Sequence, residues 1–343
     1  MENKKSYSLI LVLLIVVTLF FVFLNISLGS VHIPFSEVIG VMLDTTEVKQ
    51  SWEYIILNYR LPKAITAVIV GSGLGISGLL MQTLFRNPLA GPYVLGLSSG
   101  ASLGVATVVL GASFFSATFA SLLISQWSLV IAASIGSFLV LLAVVIVSSR
   151  VKDTMAILII GLMFASVSAA IVSVLSYFSS AEQLQRYIFW SFGSLGNLAW
   201  EELFVLILLF GLGVLATIIS IKPLNALLLG DNYASSLGVN LKKSRFIIIL
   251  ATSFFAGSIT AFAGPIAFIG LAVPHLTKLL FNTSNHKILL PAVALSGAIL
   301  MLFCDSVSQL PMSEYTLPIN AVTSLVGAPV VIWLLVRKKK LFV

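Results

Sequence analysis

The chain has 343 residues, of which 59% are hydrophobic and 9% charged, with a formal net charge of +7 and a mean hydropathy of +1.11. A soluble domain carries about a quarter charged residues, and a chain this apolar cannot cover a water-facing surface. Long apolar runs recur from end to end, so composition excludes a soluble globular enzyme and predicts a multi-spanning helical membrane protein.

The first run, Tyr7 to Leu24, follows a basic start and resembles a signal peptide. It exceeds the length of an ordinary signal core, so a retained first span is expected over a cleaved leader. Counting roughly 20 apolar residues per span gives ten candidates: 7–28, 64–84, 93–111, 127–148, 155–178, 201–221, 245–263, 267–282, 288–307 and 318–336. The eighth is short and broken by proline. They form one transmembrane domain over 1–343, with both termini cytoplasmic. Alternation then places 15 of the 19 Lys and Arg inside: Lys4, Lys5, Arg86, Arg150, Lys152, Lys222, Lys242, Lys243, Arg245, Lys278, Lys287 and Arg337 to Lys340. That is the positive-inside pattern, and adding or dropping a span mid-chain would scatter it. The positive net charge is therefore topological and not a nucleic-acid footprint.

The outer side collects Glu37, Asp44, Glu47, Glu53, Glu182, Glu201, Glu202 and Glu314. Two outer segments, 33–43 and 182–196, mix polar and apolar residues and are expected to form short surface helices, with Tyr187 and Trp190 at headgroup level. The single cysteine, Cys304, excludes an intrachain disulfide. His32, His275 and His286 lack metal-ligand spacing.

Within the second span, "GSGLGISG" (71–78) contains a G-x-G-x-x-G match. A dinucleotide site needs a preceding strand and an acid about 20 residues on, and no Asp or Glu follows until Asp153. Gly71, Gly75 and Gly78 instead share one helical face with Gln82, while Gly73 and Ser77 form a second small strip. Small residues let neighbouring membrane helices approach closely. Gly96, Gly100 and Gly104 repeat the spacing. No phosphate-binding loop occurs, so any ATP belongs to a partner.

The run "RLPKAITAVIVGSGLGISGLLMQTLFRNPLAGPYVLGLSSGASL" (60–103) resembles the FecCD-type permease family of bacterial ABC importers for iron–siderophore, haem and cobalamin. The matching residues are Arg60-Leu61-Pro62, Ser77-Gly78 to Gln82, Arg86 to Ala90 and Leu95-Gly96. "FWSFGSLG" (189–196), "LLLGDNYASSLGVNL" (227–241), "GPIAFIGLAVPHLTKLL" (264–280) and "LPINAVTSLVGAPVVIWLL" (317–335) continue it in order. The chain departs at Lys63, Lys278, Gln309 and Thr316 to Asn320. Gln309 and Thr316 are assigned to the outer face.

The resemblance implies a type II importer architecture, working as a homodimer with two ATPase subunits and one extracytoplasmic substrate-binding protein. It implies no cofactor in this chain, with ATP and Mg²⁺ on the partner ATPase. The loop 222–245 is expected to fold as two short helices joined by a turn. Leu227, Leu228, Leu229, Gly230, Asp231, Leu237, Gly238, Val239 and Asn240 would couple it to the ATPase. Arg60 and Lys63 would receive acidic residues of the binding protein. The fifth span offers Ser166, Ser173 and Ser176, with Ser168 and Tyr177, as uncharged pathway candidates; helix–helix hydrogen bonding is the other reading.

Asp305, near the outer end of the ninth span, is expected to be solvated or bonded to neighbouring backbone in a structural role, and Cys304 to fill space. His275 is expected to be hydrogen-bonded and structural. Spans two to five and seven to ten run in opposite senses, as inverted repeats do. The leading function is an ATP-driven importer of a metal chelate, most plausibly a ferric siderophore, then haem or cobalamin. The alternative is an ion-coupled secondary transporter, which needs buried ionisable residues that this chain barely supplies. An intramembrane enzyme would need a nucleophile with a base or a metal cluster, and the sequence offers none.

Overall fold

The computed structural model describes residues 4–43, 48–111, 125–148, 154–309 and 315–337. Asp44, Glu47, Arg150, Lys152, Glu314 and Lys338 to Lys340, assigned to sides of the membrane above, lie outside these residues. Among the described residues every regular element is helical. A bilayer permits this readily, because a helix satisfies its own backbone hydrogen bonds where no water can.

Seven described helices are long and apolar enough to cross a membrane, and three shorter apolar helices accompany them. Together they coincide with the ten apolar runs. The chain packs as two compact units, Met1–Ile76 with Ser194–Ile207 and Ile266–Val343, and Ser77–Gly193 with Leu208–Pro265. Two long helices, Leu61–Leu84 and Trp200–Leu227, pass from one unit into the other.

In the first unit, α1 (Lys4–Ser27) leads into the short α2 (Phe35–Leu43). The chain then enters α3 (Gln50–Ile55), passes a π-turn at Ile56–Arg60 and continues without a break into α4 (Leu61–Leu84). The second span was expected to begin at 64. It is instead the end of a continuous 35-residue helix, because nothing between Gln50 and Arg60 breaks the backbone ladder. The π-turn is a one-residue insertion of a kind that often marks functional positions. Trp200 Nε1 donates to the Leu57 carbonyl within it (3.1 Å).

The second unit takes the C-terminal part of α4. After a buried 3₁₀ turn at Pro92–Leu95 come α5 (Leu97–Val109), α6 (Gln126–Ser148), α7 (Thr154–Tyr177) and α8 (Ala181–Ser191). The span expected at 93–111 is shorter as a helix. Non-helical backbone at membrane depth is tolerated only when buried in protein, and Leu95 and Leu97 are fully buried. Gly96, at φ +75°, turns the chain into α5, which few other residues could do without strain. The helix α8 opens on a capping box between Ser180 and Gln183. Its Tyr187 hydroxyl bonds the Ser102 hydroxyl of α5 (2.5 Å), and Tyr187 stacks on Trp190.

Beyond α9 (Trp200–Leu227) lie α10 (Asp231–Ser236) and α11 (Leu241–Ala263). The expected loop 222–245 is therefore much shorter than the apolar pattern implied. Residues 222–227 extend α9 past Pro223, and Leu241 already begins α11, so one six-residue helix stands where two short helices were expected.

The first unit closes with α12 (Ile269–Phe281), α13 (His286–Ser308) and α14 (Ile319–Arg337). The helix α12 runs through Pro274 unbroken. It is short because the chain from Gly264 to Phe268 is irregular, with φ +77° and +65° at its two ends. The Ala267 N–H in this stretch donates to Asn320 Oδ1 (3.0 Å).

Packing in each unit depends on glycine. In the first, a Cβ at Gly71 would overlap the Gly297 carbonyl, and one at Gly297 would overlap the Gly71 carbonyl. Gly75 faces Val293 and Val273, where an added Cβ would sit 3.1–3.2 Å away. In the second, Gly100 and Gly136 back onto each other and Gly104 onto Ala132. Residues 71–85 are buried throughout, Gly78 and Gln82 included.

Candidate functional site

Two clusters of charged residues stand out, one in each unit.

In the first unit, Arg60 closes the π-turn and is only 7% exposed. Its Nη1 donates to the carbonyls of Ile26 (2.9 Å) and Ser27 (3.0 Å), and its Nη2 to the carbonyl of Val31. The last carbonyls of a helix have no partner within it, and a cation at that end also complements the helix dipole. Arg60 thus caps α1 and pins the link to α2. A Cβ at Gly29 would meet the guanidinium at 2.8 Å, so a larger residue there would push the end of this side chain aside.

One helical turn on, Lys63 Nζ lies 3.1 Å from Asp305 Oδ1. Asp305 is 2% exposed. Its other oxygen, Oδ2, accepts from Asn25 Nδ2 (2.7 Å) and Gln309 Nε2 (2.8 Å). The carboxylate therefore joins α1, α4 and α13 at one point. Beside it is a cavity of about 380 Å³, lined among others by Ser30, Tyr59, Arg60, Lys63, Gln309 and Thr316.

These positions correct three expectations. Arg60 is not an open cation awaiting a partner, because its guanidinium is spent on backbone carbonyls. Lys63 is 21% exposed and already paired. Asp305 is bonded by Asn25 and Lys63 from distant segments and by Gln309 four residues on, not by solvent or neighbouring backbone. Gln309 points into this cluster and is buried. Sequence reading missed Asn25 altogether; a lone Asn in the apolar run of α1 was the available signal. Cys304 and His275 are both buried.

In the second unit, the α4 terminus and the segment 228–240 form the other cluster. Arg86 has φ +46°. Its N–H bonds the Thr83 carbonyl (3.3 Å), and the Asn87 N–H bonds the Gln82 carbonyl (3.2 Å). This is a Schellman end to α4, with Arg86 in the left-handed position usually held by glycine. Asn87-Pro88-Leu89-Ala90 then makes a turn closed by the Ala90 N–H on the Asn87 carbonyl (3.1 Å), with Asn87 Oδ1 also accepting from the Leu89 N–H.

The helix α10 ends the same way. Gly238, at φ +80°, donates to Ser235 and Val239 to Ala234. Asn240 then caps α11 by accepting from the Lys243 N–H (3.0 Å). Asp231 at the start of α10 pairs with Arg86 through Oδ1 and with Arg245 Nη2 through Oδ2 (2.7 Å). A shallow cavity of about 550 Å³ is lined by Arg86, Leu229, Gly230, Asp231, Asn232, Tyr233 and Ser236. Leu224 and Leu227 are buried, whereas Leu228, Leu229 (63%), Tyr233 (53%) and Leu237 are exposed. Val239 is half-buried and Gly238 exposed. The result is a short helix with apolar side chains displayed around an ion-pair base.

The serines of α7 line neither cavity. Ser166 and Ser173 are exposed and donate to the Leu162 and Ala169 carbonyls of their own helix. Ser176 is half-buried and Ser168 buried. The exposed side of α7 also carries Ile159, Met163, Val174 and Tyr177.

Comparison with known proteins accords with this picture. Residues 15–337 match the FecCD transport family. The chain is 34% identical to the hemin transport system permease protein HmuU of Yersinia pestis over 92% of this chain and 93% of that one. It is 36% identical to the vitamin B12 import system permease protein BtuC of Klebsiella pneumoniae over 84% of each. Among solved structures, a metal-chelate type ABC transporter in an inward-facing conformation superposes with a TM-score of 0.80 at 29% identity, covering 96% of this chain and 99% of that one. The fold is thus that of a multi-pass helical permease of the bacterial cytoplasmic membrane, with the type II ABC importer architecture. The chain belongs to the FecCD transport family.

Proposed function

We propose that this chain is the transmembrane subunit of an ATP-driven importer that carries a metal chelate across the bacterial cytoplasmic membrane. Ferric siderophore is the first cargo to test, then haem and cobalamin. In this reading it works as a homodimer with two ATPase subunits, which hold ATP and Mg²⁺, and one extracytoplasmic binding protein. Both termini are cytoplasmic, and the whole chain forms one permease.

The observation that carries the proposal is the display of Leu228, Leu229, Tyr233 and Leu237 around the short helix α10, on a chain of this family. Exposed apolar side chains on and beside a short helix suit a groove on a partner. ATP-driven closure of the ATPase pair would push on it. The serine side of α7, with Ser166, Ser173 and Ser176, provides an uncharged surface suited to passing a large chelate. The cavity beside Arg60 and Lys63 is the docking region for the binding protein, with Lys63, paired to Asp305 but still 21% exposed, able to receive a second carboxylate. Electrostatic pairing there sets register and association rate.

The test is reconstitution in proteoliposomes with an ATP-binding cassette ATPase and a substrate-binding protein from the same organism. Uptake of ferrichrome, hemin and cyanocobalamin is measured with and without ATP. ATP-dependent uptake of one of them is expected. Uptake driven by a proton or sodium gradient in the absence of ATP would sink the proposal.

A further inference from the structure

We infer that Asp231 is a positioning residue that ties the ATPase-facing helix α10 to two separate segments, the Arg86 turn at the end of α4 and the start of α11. The inference rests on the importer reading for its functional consequence, but its geometry stands by itself. Each carboxylate oxygen of Asp231 is taken by a different arginine, Oδ1 by Arg86 and Oδ2 by Arg245. Those arginines lie 145 residues before and 14 residues after it.

Exposed ion pairs add little to stability, and Asp231 and Arg86 are both partly exposed. The value of this arrangement is geometric. The helix α10 has only six residues, too few to hold an orientation through its own hydrogen bonds. It hangs between Gly230 at φ +107° and Gly238 at φ +80°, two residues that permit many backbone conformations. Glycine at both ends would leave α10 free to swivel. The double ion pair removes that freedom at one end, and the Schellman closure does so at the other.

Arg86 is well placed for this task. Its left-handed backbone is fixed by two hydrogen bonds onto the last turn of α4, so a displacement of Asp231 is passed to a rigid helix end. Gly230 lies beside Arg86, where even an added Cβ would stay 3.8 Å from Nη1. Arg245 sits in the second turn of α11, behind the Asn240 cap. A push on α10 therefore moves the α4 terminus and the α11 start together.

The experiment has two arms. In the first, spin labels are placed at Leu89 and Ser235, both exposed, in the permease alone in nanodiscs, and their separation is measured by pulsed electron resonance. A narrow distribution is expected, broadened by Asp231→Asn and, to a smaller degree, by Arg86→Gln, in which Arg245 still holds Asp231. An unchanged distribution in both variants overturns the inference.

In the second arm, the double variant Arg86→Gln/Arg245→Gln, which releases Asp231 without changing any residue of the coupling segment, is reconstituted with the ATPase. Co-purification and ATP hydrolysis are expected to persist while ferrichrome, hemin or cyanocobalamin uptake per ATP falls about tenfold, the size of an ordinary coupling effect. Loss of ATPase co-purification in this double variant would make the arginines docking contacts instead and overturn the inference. A wild-type complex without ATP-driven uptake would overturn the importer reading and leave the first arm to decide the tie.

Discussion

Lys63 Nζ meets Asp305 Oδ1 at 3.1 Å across 242 residues of chain, and the acid is sealed from solvent. A buried ion pair is weak evidence for net stability, but removing one member strands the other charge. With Asn25 and Gln309 on its second oxygen, Asp305 holds three helices at one point.

Asp305→Ala is expected to destabilise the permease at the lower end of about 3–5 kcal/mol, since Lys63 keeps some contact with solvent. Lys63→Met alone leaves the buried carboxylate with two amide donors and should cost less. The double variant should be less unstable than the sum of the two, because neither charge is then stranded. Thermal unfolding of the four proteins in detergent checks this, and strict additivity would count against a paired cluster.

Arg60→Ala should expose the end of α1. Three carbonyl contacts disappear together, a loss of at least about 2 kcal/mol for charge-assisted bonds. Arg60→Lys should recover only part of it, since an ammonium lacks the planar fork that reaches several acceptors at once. Protease cleavage between Leu28 and Pro34, followed over time, should rise in the order wild type, Lys, Ala.

Glycine positions should separate sharply by surroundings. Gly71→Ala and Gly297→Ala each force a methyl into a facing carbonyl, and about 1–3 kcal/mol or more is expected for such overpacking. Gly75→Ala meets two valine methyls and the Val293 carbonyl at 3.1–3.2 Å, a lighter overlap that should cost less, although Gly75→Leu should still impair assembly. Gly211→Ala has open space and should be neutral or gain up to about 1 kcal/mol in helix propensity. Expression yield and unfolding temperature report all four.

Leu229→Asp and Tyr233→Ala change exposed residues, so unfolding should move by no more than about 0.5 kcal/mol. Association with the ATPase should weaken by about thirtyfold if either is an interface anchor, corresponding to about 2 kcal/mol. Co-purification titrated against ATPase concentration measures it. Unaltered affinity in both variants would remove this face from the interface.

Ser166→Trp and Ser173→Trp should block cargo uptake while leaving ATPase association and unfolding unchanged, if the exposed side of α7 lines the path. Both serines are exposed and, among the described residues, bond within their own helix, so a bulky replacement disturbs little packing there. Normal uptake in both variants would move the pathway elsewhere.

Much of the fold was legible because its main signal is local. An apolar run in a bilayer must be helical, and each run reports itself through composition. Ends were less legible. Gln50 to Arg60 fell outside the second span as counted yet propagates the helix, and Lys222 to Leu227 looked like loop yet extends α9, since helices continue past a change in polarity when nothing stops the ladder. The glycine stripe at 71, 75 and 78 was readable as a packing face, but not its facing partner, Gly297.

The charged residues divide most clearly. Sequence by itself determined the all-helical membrane architecture, the family, and the segment around Asp231 as a place of interest. These follow from hydropathy and from motifs whose members are neighbours in the chain. Only the tertiary structure decided what Arg60, Lys63 and Asp231 do, because the partners of a charge lie tens to hundreds of residues away. A cation read from sequence is equally suited to a foreign carboxylate, a helix end or a buried acid. Folding chose the helix end for Arg60 and the buried acid for Lys63, where desolvated charges must find partners within the protein.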